Sequence, residues 1–188
     1  MGLTDVLFGR KKLKQASGDK IFALATATVT LETELGLTSA GAAGVVFKAL
    51  SAESFVRAEN ELDELLQVAA TESRSRIERK TDDHGFEWLV VRDDEFEDLI
   101  GTVHLVAREL VDRGFGDRLL AAVFRFKGGD HPVYWIYGFK RGAFWPFIPT
   151  GGNERDNANE LELKAKLENE LPVEEDLARW FGLFDAPL

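Results

Sequence analysis

Apolar positions along the chain repeat with two periods. Residues 119–127 alternate, with Phe124 and Phe126 on one side and Arg125 and Lys127 on the other, which predicts a strand. Residues 75–80 and 86–92 flank Asp82-Asp83-His84-Gly85, a turn with glycine at its end, and predict a hairpin. Residues 133–139 and 144–148 predict two further strands, and Pro146 assigns the second to a sheet edge or extended loop. Residues 27–34, rich in Thr and Val, predict a strand, and residues 45–49 another, separated by a loop bearing Gly36, Gly41 and Gly44.

The other period is 3.6. Phe55, Leu62, Leu65, Leu66 and Ala69 predict an amphipathic helix over 52–71 with Ser51 as its N-cap. Phe96, Leu99, Ile100, Val103, Ala107, Leu110 and Val111 mark a second helix, opened by Asp94 and Glu97 at capping-box spacing and stopped by Gly114. Asp156 caps a third helix running to about Glu170, and Pro172 separates it from a short closing helix with Leu177, Trp180 and Phe181. The order is strand, strand, helix, three times, in units starting near residues 27, 74 and 119, without a residue-level repeat. The prediction is an α+β fold: a mainly antiparallel sheet with helices packed on it. Residues 1–18 form a short amphipathic, basic segment and linker, and 19–188 one α+β domain.

With 188 residues, 45% of them apolar, the chain can build a full core. It has no cysteine, which excludes thiol nucleophiles, iron–sulfur clusters and thiolate zinc sites. The net charge of −10 is unevenly spread. Arg10, Lys11, Lys12, Lys14 and Lys20 against Asp5 and Asp19 give residues 1–20 a charge of +3, leaving −13 on the remainder. An acidic body repels nucleic acid, which is therefore not an expected partner. The charges of residues 1–14 follow the apolar residues, the reverse of a secretory signal, and no run is long enough to span a bilayer, so the expected location is cytoplasmic. Leu3, Val6 and Leu7 share a helical face with Phe8 beside them. With Arg10, Lys11, Lys12 and Lys14 they make a candidate peripheral contact with an anionic membrane, set against the plainer reading of an ordinary terminus.

Chemistry is sparse. His84, His104 and His131 have no partners at metal-ligand spacing, and no nucleophile elbow, P-loop, zincin or EF-hand pattern occurs. No catalytic residue, metal or cofactor is expected. Asp93, Asp94, Glu95 and Glu97 read as helix-start carboxylates. The densest unusual segment is residues 133–150. Trp135, Tyr137 and Phe139 share one strand face, followed by Lys140, Arg141, Phe144 and Trp145. An open aromatic row beside two cations is a candidate platform for a peptide, a partner sheet or stacked bases, the last disfavoured by the acidic body. In the plainer reading helices cover one row and the C-terminal segment the other. Arg155, Asp156 and Asn157 at a helix start add a candidate contact, against a plainer capping loop with an Arg–Asp pair. A second hypothesis is a small-molecule pocket or active site between sheet and helices, with Arg155, Asp156 and His131 as its first polar candidates.

Several stretches together resemble one family nearly end to end: M-G-L-T-D-V-L-F-G-R-K-K, K-I-F-A-L, W-L-V-V-R-D, K-R-G-A-F-W-P-F-I-P-T-G-G, R-D-N-A-N-E-L-E and L-P-V-E-E-D-L-A-R-W-F. The chain is similar to the PspAB family of PspA-associated proteins. That resemblance implies a cytoplasmic accessory role in envelope stress, with PspA, the phage-shock protein that protects stressed membranes, or a PspA-like protein as partner. It implies no reaction. It adds weight to the basic N-terminal segment and the aromatic platform as contact surfaces.

Overall fold

The computed structural model of the protein describes residues 18–49 and 55–188. A 3-10 turn, Gly18–Phe22, leads into helix α1 (Ala23–Thr33), and then come β1 (Thr38–Lys48), α2 (Phe55–Glu72), β2 (Arg76–Thr81), β3 (Phe86–Arg92) and α3 (Phe96–Asp112). The chain continues through β4 (Leu119–Lys127), β5 (Val133–Gly138), β6 (Ala143–Phe147), a minor hairpin of β7 (Pro149–Gly151) and β8 (Glu154–Arg155), and α4 (Asn157–Leu167). After the 3-10 turn Leu177–Arg179, the chain runs to Leu188 without regular structure.

The fold is α+β. Six strands form one antiparallel sheet in the order β2-β3-β1-β4-β5-β6, with β1 at its centre and a register irregularity between Ser39 and Ala42. Alternation gives every strand two faces. One face contributes Val45, Phe47, Leu89, Val91, Phe124, Phe126, Trp135 and Tyr137, packed on Leu24, Ala27 and Leu31 of α1, Leu65 and Ala69 of α2, the apolar side of α3, and Leu163 and Leu167 of α4. The opposite face contributes Val46, Trp88, Val90, Val123, Tyr134, Ile136, Trp145 and Phe147, packed on Trp180, Leu183, Phe184, Ala186 and Leu188. No helix among the described residues is long and apolar enough to cross a membrane.

The first of the three units departs from the expected order. Residues 27–34 are not a strand but lie mostly in α1, and β1 starts at Thr38, inside the expected glycine loop, so the unit is helix–strand–helix. Buried Leu24, Ala27 and Leu31 fall on one helical face. The threonines fit the helix because their hydroxyls bond back one turn, Thr28 to the Leu24 carbonyl at 3.0 Å and Thr33 to the Val29 carbonyl at 2.7 Å. The other two units keep the predicted order, and β3 and β4 have the predicted bounds.

At α3 the Asp94–Glu97 capping box does not form. Glu95 is the N-cap, with no side-chain cap bond. Asp93 acts there instead, accepting from the Glu95 N–H at 2.9 Å and from the Ser75 hydroxyl at 2.6 Å. Gly114 ends α3 as expected, at φ 88°, with its N–H on the Val111 carbonyl and that of Phe115 on the Leu110 carbonyl. The expected N-cap Ser51 lies outside the described residues.

Candidate interaction surface

The ring-rich hairpin of β5 and β6 divides its side chains between the two faces of the sheet. Trp135, Tyr137, Phe139 and Phe144 lie under the helices, with Trp135 and Tyr137 at 0% exposure. Tyr137 and Phe144 pack at 4.8 Å between centroids, and Tyr137 and Phe139 edge-on at 5.5 Å. Trp145 points the other way and is buried by the C-terminal segment, its indole N–H donating to the Phe181 carbonyl at 3.0 Å. The open aromatic platform therefore does not exist. Both rows are apolar enough to need a cover, and the chain supplies one for each. Only Lys140 and Arg141, at the hairpin turn, reach the surface, and Arg141 lies 3.5 Å from Glu174.

Arg155, Asp156 and Asn157 also have local duties. Arg155 Nε donates to Glu160 Oε1 and Oε2 at 3.0 and 2.9 Å, its NH1 group donates to the Trp180 carbonyl at 2.7 Å, and its guanidinium sits 5.0 Å from the centre of the Phe147 ring. The ion pair at this helix start is thus Arg155–Glu160 and not Arg155–Asp156. Glu160, 1% exposed, also accepts from the Ile148 N–H at 2.8 Å. Asp156 caps α4 by accepting from the Asn159 N–H at 3.1 Å and its side-chain amide at 2.6 Å. The backbone bond from Asn159 leads in holding the Asp156 carboxyl below its ordinary value. Asn157 is exposed on the first turn.

These groups close the β6 edge of the sheet. Phe144 pairs with the chain at Pro172 and Glu174, its N–H donating to the Pro172 carbonyl at 2.7 Å and its carbonyl accepting from the Glu174 N–H at 2.8 Å. Pro146 has no N–H to offer, and Ile148 bonds to Glu160 and to the Asp156 N–H. Strand addition at β6 is thereby blocked.

Past Trp180 the chain crosses the second sheet face as a strap. Phe184 packs edge-on against Phe147 at 5.0 Å, and Lys80 donates to the Pro187 carbonyl at 3.3 Å. Arg125 donates to the Leu188 backbone oxygen at 2.8 Å, and His84 Nε2 lies 3.1 Å from an Asp185 carboxylate oxygen. Burial raises the Tyr134 hydroxyl above its ordinary value, against the opposing charge of Arg125. Beside the strap, Leu161 and Leu177 line a groove of about 170 Å³ with Asn157 and Trp180. Leu161 (45%), Leu177 (50%) and neighbouring Phe181 (66%) are large apolar side chains left open to solvent.

The second hypothesis also meets a specific place. A cleft of about 350 Å³ between the sheet end and α4 has Leu37, Val133, Ile148 and Leu163 in its walls and His131, Asp130, Asp156 and Glu162 among its polar groups. It brings His131 and Asp156 together, while Arg155 is turned away into the knot with Glu160. Among the described residues no group of His, Asp and Glu is arranged to hold a metal. Leu3, Val6, Leu7, Phe8, Arg10, Lys11, Lys12 and Lys14 lie outside the described residues. The plainer reading, with helices over one row and the C-terminal segment over the other, is the arrangement found, while sequence reasoning missed Leu161 and the strap's path. The apolar run at 181–188 was the available signal, but it carries no period that assigns it to a face.

The whole chain, residues 1–188, matches the family model described as PspA associated protein B, and the protein belongs to that family, whose name links it to PspA. No curated protein and no solved structure matches it.

Proposed function

We propose that this protein is a non-catalytic accessory component of the PspA envelope-stress system, acting in the cytoplasm by protein–protein contact close to the membrane. The observation that carries this reading is the exposed apolar rim of Leu161, Leu177 and Phe181. Leu161 and Leu177 stand in water around one groove with Trp180, and exposed Phe181 follows Trp180 in the chain against Trp145; apolar side chains so placed mark a contact site. The family's link to PspA supplies the candidate partner. The polar groups at the helix starts and sheet edge already serve the fold: Arg155 and Glu160 close β6, and Asp156 caps α4.

The test is capture of PspA by the intact protein and by a Leu177→Asp/Phe181→Asp variant. Loss of capture by a folded variant supports the rim; unchanged capture removes it. A Lys140→Ala/Arg141→Ala variant tests the cationic turn in the same assay. The basic segment at residues 1–14 is the proposed lipid contact. Its removal should abolish sedimentation with anionic vesicles while leaving PspA capture in place, and undiminished sedimentation overturns that part.

The cleft at His131 and Asp156 favours a second reading, a small-molecule site between sheet and helices. A thermal-shift screen with nucleotides and metabolites tests it, since a ligand of the folded state raises the melting temperature with dose.

A further inference from the structure

The strap is held as a bound peptide is held. Its backbone forms no ladder with the sheet. Its backbone hydrogen bonds are local turns, from the Phe181 N–H to the Arg179 carbonyl, Ala186 to Leu183 and Leu188 to Ala186. The sheet grips it through side chains: the Trp145 indole on the Phe181 carbonyl, Lys80 on the Pro187 carbonyl and Arg125 on the Leu188 oxygen. The floor is closed with the strap in place. Val90, Val123 and Ile136 are fully buried, and the strap residues above them are half-buried or exposed.

Two features give the groove selectivity. Gly44 makes a notch in the floor: a Cβ there would stand 3.0 Å from the Trp88 ring and 3.1 Å from the Leu188 side chain, so glycine is what lets an aliphatic group sit down beside Trp88. Two residues along β1 from it, a basic row crosses the sheet, with Glu78 3.8 Å from Arg76 at its β2 end. The register aligns Arg76 with Arg92, Arg92 with Ala42 and Ala42 with Arg125, and alternation puts these arginines on the strap's face. Only the small Ala42 separates Arg92 from Arg125. The groove thus offers an aromatic wall at Trp145 and Phe147, an aliphatic notch at Gly44 and a cationic end at Arg125.

We propose that this face is a peptide-binding groove, filled in the isolated chain by residues 181–188 and open to an extended segment of another protein bearing an aromatic ring, an aliphatic side chain and a carboxylate. Charge complementarity with the arginine row and the chemistry of the strap itself define that partner. A tethered segment competes at high effective concentration, so the strap acts as a gate, and apparent affinity for an incoming segment falls with the fraction of open molecules. The inference rests on the reading of the protein as a contact protein and adds how one contact is controlled.

The experiment uses the full chain and a fluorescein-labelled synthetic peptide of sequence F-G-L-F-D-A-P-L. A Phe184→Ser/Leu188→Ser variant, which loosens the strap and leaves the groove intact, should bind the peptide about tenfold or more tighter than the unaltered chain. Adding Arg125→Ala should reverse the gain. If the loosened variant stays folded by circular dichroism and binds no better, the proposal is overturned. If it does not fold, titration of the unaltered ¹⁵N-labelled chain decides. The Trp145 indole signal should move as peptide displaces the Phe181 carbonyl, while that of Trp135, under the helices, stays in place. A Trp145 signal fixed at millimolar peptide, or one matched by an equal shift of Trp135, overturns it. PspA capture is a separate readout: capture without peptide binding removes the gate and keeps the contact reading, and peptide binding without capture does the reverse.

Discussion

The two faces of the sheet are both dry and are covered in opposite ways. One lies under four helices, whose interior backbone groups bond within the helix and whose apolar stripes interlock with Phe124, Phe126, Trp135 and Tyr137. The other lies under a strap that has no regular structure and keeps its neighbours by side-chain contacts. Burial of a ring therefore does not by itself say how tightly it is enclosed. A helix lifted from the sheet loses its share of a common core, so that cover opens only with the whole fold. The strap gives up only its own contacts when it lifts, and a segment of that kind opens at a fraction of the global free energy.

The largest effects should come from the helix-covered face. Phe124→Ala removes a fully buried ring packed edge-on against Phe96 and should cost about 3 to 5 kcal/mol, read as a fall in the urea midpoint at unchanged slope. Next comes the seam where the two covers meet. Glu160→Ala leaves the Arg155 guanidinium and the Ile148 N–H without their buried acceptor and should cost about 3 kcal/mol. Arg155 also holds the Trp180 carbonyl at the root of the strap, so this variant should speed exchange of the strap's amides as well. A loss of stability with strap exchange unchanged would show that the seam serves one face alone.

On the strap-covered face the effect should be smaller. Phe184→Ala removes a half-buried ring from the strap and should cost about 1 to 2 kcal/mol. Hydrogen-exchange mass spectrometry should place residues 182–188 well below the sheet amides in protection in the unaltered chain, and lower still in the variant. Protection equal to that of β4 would erase the distinction between the covers.

Much of this architecture was legible from residue order. The alternation at 119–127, the turn at 82–85 and the 3.6-residue spacing from Phe96 to Leu110 all became the elements they predict. Both aromatic rows of β5 were legible too, because alternation is local. That helices and the C-terminal segment cover them was one of two readings, and which cover takes which row was not legible, since the covers come from residues distant in sequence. The helix α1 was hidden by its own composition: Val and Thr favour strands, and only burial of Leu24, Ala27 and Leu31 shows which period prevails. At the candidate site, Asp156 as a cap could be read from its position. The Arg155–Glu160 pair could not, because it depends on how β8 turns into α4 beneath the strap.

The smallest effect predicted sharpens the comparison from within the strap-covered face. Trp88 and Trp145 both lie there, but the Trp145 indole bonds to the strap, and the Trp88 indole donates to Asp82, in the sheet's own β2–β3 turn, at 2.8 Å. Burial pushes the Asp82 carboxyl up, but the bonds from Trp88 and from the Phe86 and His84 N–H groups, helped by the nearby His84 ring, outweigh it and hold the group below its ordinary 3.8. A folded value below the unfolded one means that the contribution is complete above the unfolded value and is lost as pH falls through the folded value. Asp82→Asn should therefore lower stability by about 1 kcal/mol at neutral pH and flatten the acid limb of the stability curve, measured as urea midpoints from about pH 5 down to about pH 2.5. Strap exchange should stay as it is, because Trp88 is anchored to the sheet. An acid limb as steep as that of the unaltered chain would remove Asp82 from this role. A faster-exchanging strap would show that Trp88 and its turn are part of the gate.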